Sequence, residues 1–297
     1  MKKRWDIGMK LGVIKEPRVW LYGSENMDIA DELFMGWAVG IKEATEDWCK
    51  VITHYGYSGY VKKSAILFMQ TEEIRYRDNS GQMAVICRRA ADVLAEPRVQ
   101  GRILATLSKG AFVKILSETK NGYRKVEMAD GRKGYVPCIA YRSRMDADGY
   151  LYEKDREKYL REQKMLINEE VFRESVTKQA KEYLGTQYRW GGKSAEGLDC
   201  SGLTFMSYLF CGILIYRDAA LKDGYPVKKI PINQIKKGDL LYFKGHIAMY
   251  LGDGKYIHAT GNEKSFGCVI NSLCKEDVDF REDLRESLYA AGSIWIR

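Results

Sequence analysis

Tyr188-Arg189-Trp190-Gly191-Gly192, followed by Gly197-Leu198-Asp199-Cys200-Ser201-Gly202, is the stretch on which the reading of this chain turns. It is a glycine-rich loop that ends on a cysteine. After it Leu203, Phe205, Met206, Leu209 and Phe210 recur at helical spacing, which predicts a buried helix with Cys200 in its first turn. A helix N-terminus offers free N–H groups and a partial positive charge, and both favour a thiolate, the nucleophilic form of cysteine. Taken alone, Cys200 also fits a small core cysteine, because free cysteines are among the most buried residues.

The histidines decide between these readings. The chain has three, His54, His246 and His258, and two of them follow Cys200. They sit in Gly238-Asp239-Leu240-Leu241-Tyr242-Phe243-Lys244-Gly245-His246 and on through Gly252-Asp253-Gly254 to His258-Ala259, which reads as a strand, a short loop and a hairpin. A cysteine to which the fold brings histidines is the layout of a thiol nucleophile and its base.

Register sharpens the expectation. A plain two-residue turn at Asp253-Gly254 would pair His258 with Met249 and set the two histidines on opposite faces. An odd loop, or a bulge, pairs His258 with Ala248 and makes His246 its diagonal neighbour on one face, about 7–8 Å away. That second register also collects Ile247, Met249, Ile257 and Ala259 on a single apolar face. It is the register expected, with His246 as base and His258 as the group that orients it.

Tyr-x-Trp-Gly-Gly at 188–192, Asp-Cys-Ser-Gly at 199–202, Gly-Asp-Leu at 238–240, His-Ile-Ala-x-Tyr-Leu-Gly at 246–252 and Ile-His-Ala at 257–259, in this order, resemble the NlpC-type cysteine peptidases of bacterial cell-wall metabolism. The resemblance implies a reduced papain-like α+β domain over residues 169–297, with Cys200, His246 and His258 as the catalytic triad. It places Tyr188 and Trp190 in the substrate groove and adds Asp199 and Ser201, beside the nucleophile, to the substrate-binding candidates. Such enzymes mostly cut the bond between D-glutamate and the L-diamino acid in peptidoglycan stem peptides. The implied chemistry is acyl transfer to sulfur, without metal or organic cofactor. An amidase or acyltransferase using the same Cys–His pair, or a non-catalytic binding protein, would fit the same fold.

The first half carries an internal repeat. Gly36-x-x-Val39-x-Ile41, Lys50-Val51, Gly56 and Gly59-Tyr60-Val61 return as Gly110-x-x-Val113-x-Ile115, Lys125-Val126, Gly131 and Gly134-Tyr135-Val136. Short β-rich segments punctuated by polar turns predict two small barrels, at 1–75 and 76–148, and resemble bacterial SH3-like domains. A charged segment, 149–168, reads as a helical connector. The whole is therefore expected to be multidomain: two all-β barrels, then the α+β domain.

Between the copies Glu32 aligns with Thr106 and Tyr57 with Arg132. A carboxylate and a phenol suit capture of a free ammonium group. In one subgroup of the resembled family the first barrel caps the peptide's N-terminal residue, which makes Glu32 and Tyr57 candidates for holding an N-terminal L-alanine; Asp31 is the alternative to Glu32. Asp218 matches a peptide-contacting position in the family, whereas Ala219 stands where serine is usual. His54 reads as a surface residue of the first barrel.

Bulk properties agree with a globular protein. With 45% hydrophobic residues in 297, the chain has ample material for cores. The net charge of +8 is not gathered into a Lys/Arg cluster with interleaved aromatics, so nucleic acid is not an expected partner. No apolar run approaches the ~20 residues of a membrane span. The seven cysteines, Cys49, Cys87, Cys138, Cys200, Cys211, Cys268 and Cys274, are odd in number and scattered. With no apolar core behind Met1-Lys2-Lys3-Arg4, they point to the cytoplasm. The expected partner is a stem peptide, L-Ala-γ-D-Glu-diamino acid; oligomeric state is not legible.

Overall fold

The computed structural model describes residues 10–23, 28–145 and 168–295. The chain divides into two compact units, residues 1–153 and 154–297. The connector expected at 149–168 lies outside the described residues except for Asn168.

Among the described residues, the first unit holds two seven-stranded antiparallel sheets. One comprises β1 (Lys10–Ile14), β2 (Arg18–Tyr22), β3 (Ile29–Phe34), β4 (Ala38–Ala44), β5 (Trp48–Thr53), β6 (Ser58–Lys62) and β7 (Ile66–Met69), in the order β3-β2-β6-β5-β4-β1-β7. The other comprises β8 (Met83–Ile86), β9 (Ala90–Leu94), β10 (Ile103–Ser108), β11 (Phe112–Lys120), β12 (Tyr123–Glu127), β13 (Lys133–Pro137) and β14 (Tyr141–Ser143), in the order β10-β9-β13-β12-β11-β8-β14. The second order is the first shifted by seven strands, so the sequence repeat is a repeat of topology.

The recurrent Gly-Tyr-Val has a physical cause. Gly59 lies so close to β2 that a Cβ would strike the Tyr22 carbonyl, and Gly134 would strike the Leu94 carbonyl of β9. Both close approaches let the sixth strand of each copy cross onto the second, pairing Tyr60 with Tyr22 and Tyr135 with Leu94. Leu21, Leu33, Val51 and Val61 fill the first barrel, and Val85, Leu107, Val126 and Val136 the second.

Helix α1 (Thr71–Asn79) joins the two sheets and opens on a reciprocal Gln70/Glu73 capping box. The boundary expected between residues 75 and 76 falls inside it. The barrels are tied directly as well: Trp37 Nε1 donates to the Gly110 carbonyl at 2.8 Å and Phe112 N–H to the Met35 carbonyl at 2.8 Å.

In the second unit α2 (Glu169–Lys181) and α3 (Cys200–Phe210) pack together, with Phe172 edge-on to Tyr208 at 5.4 Å. Asn168 caps α2 by accepting from Val171 N–H at 3.1 Å. On α2 Phe172, Val176 and Ala180 are buried, while Val171 faces outward. Between the helices lie two short paired strands, β15 (Lys193–Ser194) and β16 (Gly197–Leu198).

The remaining strands are β17 (Lys228–Ile230), β18 (Leu240–Phe243), β19 (His246–Gly252), β20 (Lys255–Thr260), β21 (Gly267–Ser272) and β22 (Leu288–Ser293). They form one antiparallel sheet in the order β17-β22-β18-β19-β20-β21, with α4 (Glu282–Ser287) before its last strand. Leu241, Phe243, Ala248, Tyr256, Leu284 and Ala291 form one core of this sheet. Arg173 of α2 bonds Asp239 Oδ1 at 2.8 Å and so anchors the helix to the start of β18. Among the described residues no helix is long and apolar enough to cross a membrane.

Candidate active site

Cys200 is the first residue of α3, where the glycine-rich stretch had put it. Asp199 caps the helix, accepting from Gly202 N–H at 2.5 Å and from Gly191 N–H at 2.9 Å. Gly202 is seated against the Gly191–Gly192 turn so tightly that a Cβ would strike the Gly192 carbonyl. The glycines therefore bring the loop and the helix end into backbone contact.

The imidazoles meet. His246 Nε2 and His258 Nδ1 are 2.7 Å apart. Their hairpin is instructive: Asp253 and Gly254, with φ of 49° and 74°, form a two-residue turn, and Gly252 pairs with Lys255. Carried inward, that register would separate the histidines. A bulge intervenes, because Tyr250 pairs with Tyr256 and Leu251 is extra. Met249 then pairs with Ile257, the sequence expectation's odd register. The face carrying the histidines is covered too: Tyr256 and His258 are fully buried, with Phe243 and Leu284 packed nearby.

A fourth polar residue, which sequence reading passed over, extends the chain. His258 Nε2 lies 2.8 Å from Asn271 Oδ1, and Asn271 Nδ2 donates to the Asp279 carbonyl at 2.9 Å. Asn271 lies on the strand Gly267–Ser272. Its signal was a polar residue in phase with Val269, but the contact depends on β20–β21 register, which only the fold supplies.

Electrostatics overturn one expectation. Burial pushes the Cys200 thiol up to about 11, and the Asp199 charge adds to the rise. The N–H groups of Ile247 and Ser201 and the Arg217 charge act in the opposite direction without prevailing. The helix-end argument therefore loses to desolvation, and the resting group is a thiol. Burial, then His258 and Arg281, lower His246 to about 3; burial lowers His258 to about 4, against the hydrogen bond to Asn271. Both rings rest neutral.

Asp199 was expected to face substrate. Instead both its oxygens serve the protein: besides the two N–H groups, Arg217 Nη1 and Nη2 reach them at 3.0 and 3.1 Å. Ser201 Oγ joins the same cluster, 2.7 Å from Arg217 Nη1 and 3.2 Å from Asp199 Oδ1. Arg217 is 1% exposed, and sequence reading missed it because its partners are distant in the chain.

Tyr188 is half-buried, and Trp190 is 68% exposed. Burial, followed by the Cys200 and Asp199 charges, holds the Tyr188 phenol protonated. Asp218 is half-buried and hydrogen-bonds Tyr216, whose hydroxyl is pushed up to about 12 mainly by its own burial.

Glu32 and Tyr57 belong to the first unit. Glu32 is fully buried on β3 and accepts from Arg18 Nη1 at 3.2 Å. Asp31, also fully buried, accepts from the Tyr55 hydroxyl. Tyr57 is half-buried beside Tyr55, 6.1 Å between ring centroids. His54 is 5% exposed, not the surface residue expected; it packs edge-on between Trp37 and Tyr55.

Comparison with known proteins agrees with this architecture. The sequence profile of the NlpC/P60 family matches residues 185–278, and that of a bacterial SH3 domain matches residues 23–67. Dipeptidyl-peptidase 6 of Lysinibacillus sphaericus is 38% identical over 274 residues, covering 90% of this chain and 93% of that protein. A gamma-D-glutamyl-L-lysine dipeptidyl-peptidase of Bacillus cereus is 26% identical over 280 residues, 88% of this chain and 74% of that one. The crystal structure of an NlpC/P60 family protein from Bacillus cereus shares the fold, with a TM-score of 0.72 at 20% identity over 95% of this chain and 98% of the other.

Proposed function

The chain belongs to the NlpC/P60 family, and from that premise we propose that it is a cysteine endopeptidase cutting the γ-D-glutamyl-L-diamino-acid bond of peptidoglycan stem peptides. The observation that carries the reading is the linked imidazole pair on β19 and β20 in the same unit as a thiol at the head of α3, with Ile247 N–H, next to His246, bonded to the Cys200 sulfur.

In the proposed reaction His246 takes the Cys200 proton as sulfur attacks the γ-carbonyl carbon of D-glutamate. Because burial opposes either charge alone, transfer accompanies attack in place of a standing ion pair. The Cys200 backbone N–H and the Tyr188 hydroxyl donate to the oxyanion. His246 then passes its proton to the leaving amine, giving a thioester on Cys200 and a free diamino-acid product. Water, deprotonated by His246, attacks the thioester and releases L-Ala-D-Glu and the thiol.

Asp199 and Ser201 serve in this reading as the cap and brace of the nucleophile's helix, with Asp218 and Trp190 as peptide-contacting groups. The name of the similar gamma-D-glutamyl-L-lysine dipeptidyl-peptidase supports the substrate class. The seven free cysteines support a reducing compartment, hence a cytoplasmic role on released muropeptides.

The test is incubation of the protein with L-Ala-γ-D-Glu-meso-diaminopimelate and with the L-lysine analogue, each with and without N-acetylation. Release of L-Ala-D-Glu from unblocked peptide alone is expected. No release from either excludes the peptidase reading. Equal cleavage of blocked and free peptide removes the requirement for a free N-terminus and leaves the chemistry standing.

A further inference from the structure

The hydrogen-bond chain that starts at Asp279 has a direction. A backbone carbonyl only accepts, so the group of Asn271 that faces the Asp279 oxygen at 2.9 Å is its NH2. That carbonyl is itself fixed by Ser272 N–H at 3.1 Å. The amide oxygen of Asn271 is thereby turned to His258 Nε2 at 2.8 Å, and an amide oxygen also only accepts. His258 must therefore carry its proton on Nε2. Since the ring is neutral, its Nδ1 is bare and can only accept. The nitrogen facing it at 2.7 Å, His246 Nε2, must then donate. One nitrogen of the pair is left with an unused lone pair: Nδ1 of His246.

We propose that Asn271 is a positioning residue which, held by the Asp279 carbonyl, fixes the tautomer of both imidazoles and so keeps His246 Nδ1 unprotonated to receive the Cys200 proton. It acts two rings away from the sulfur and touches no reacting atom. Without it, His258 could carry its proton on either nitrogen. In the wrong tautomer His258 Nδ1–H donates to His246 Nε2, whose proton moves to Nδ1, and the base is blocked. Asn271 is 7% exposed and pairs across β20 with Tyr256, so the diagonal that leads to His258 follows from strand register. Lys255 braces the far end, bonding Asp279 Oδ1 at 2.7 Å and Asp277 Oδ2 at 2.8 Å. The inference rests on the peptidase reading only for what the proton is used for; the tautomers belong to the resting protein.

With three histidines in the chain, ¹⁵N NMR of histidine-labelled protein resolves each ring, and His54→Asn assigns the spectrum. In the unsubstituted protein His258 and His246 are both expected protonated at Nε2 near pH 7. A proton on Nδ1 of His258 overturns the proposal, whether or not the peptide is cleaved. In Asn271→Ala the His258 tautomer should become mixed. kcat should fall by about tenfold to a hundredfold with KM nearly unchanged, a part of the larger loss that a wholly wrong tautomer brings. Iodoacetamide labelling of Cys200, followed on its own peptide, should slow in parallel and needs no substrate. Lys255→Ala loosens the same loop while sparing the Asn271 amide, and should leave the tautomers as they were. If Asn271→Ala loses activity with both tautomers unchanged, or if Lys255→Ala disturbs the tautomers equally, Asn271 is merely a tie for its loop and the proposal fails. Cleavage failing while the tautomers hold counts against the peptidase reading alone.

Discussion

Asp199 and Arg217 face each other as a two-pronged ion pair, oxygen to nitrogen at 3.0 and 3.1 Å, beside the nucleophile and out of reach of solvent. The carboxylate also caps α3 and the guanidinium also holds Ser201. One pair thus ties the Gly191 turn, the head of α3 and the segment after it. Such a pair adds little net stability over an apolar substitute, but removing one partner strands a buried charge.

Arg217→Met is accordingly expected to destabilise the second unit by about 3–5 kcal/mol, measured by urea unfolding. Adding Asp199→Asn should recover part of that loss, since the stranded charge goes with it. If the double variant is worse by the full sum of the singles, the two residues do not act as a pair.

Gly202→Ala tests the backbone contact between loop and helix. The added methyl collides with the Gly192 carbonyl, a rigid neighbour. A loss of about 1–3 kcal/mol in stability is expected, together with a fall in kcat as Cys200 shifts. Unchanged kinetics would mean that the helix head can move without consequence.

Tyr188→Phe keeps the ring that packs 6.2 Å from Phe266 and removes only the hydroxyl. As loss of an oxyanion donor, it should lower kcat by ~10²–10³ with little change in KM. A matched rise in KM at constant kcat would instead make Tyr188 a plain substrate-binding residue.

The pH dependence has a defined sign. His246 and His258 have folded pKa values lowered to about 3 and about 4 from 6.5, so their contribution to stability is complete above 6.5 and is lost as pH falls through 4 and 3. Cys200 is raised from 9.0 to about 11, so its contribution is complete below 9 and lost as pH rises through 11. Thermal unfolding should show a plateau between about 6.5 and 9 with losses on both sides. The kcat/KM profile should lack an inflection near 6.5, because the base is already neutral there. An acid limb centred at 6.5 would show that His246 behaves as an ordinary exposed imidazole.

Much of this was legible before any coordinates. The helix after Cys200, the doubled barrel and the odd pairing of the two histidine strands all follow from local rules of spacing, repetition and face. The hairpin shows where such rules run short: its turn is the two-residue kind that alone would split the histidines, and the bulge at Leu251 restores their common face. Sequence permitted either a bulge or a longer loop and did not choose.

What the chain order determined by itself is which chemistry is present and roughly where: a cysteine at a helix head, two imidazoles on neighbouring strands, two barrels ahead of them. Only tertiary structure decided the charge states and the supporting partners. Cys200 is a thiol because burial outweighs a helix end, and Asp199 is a cap because Arg217 arrives from beyond the helix to claim it. Asn271 reaches His258 only because one more strand joins the sheet. Periodicity and capping act over a few residues and can be read along a chain; desolvation and long-range pairing depend on what the folded chain excludes from water.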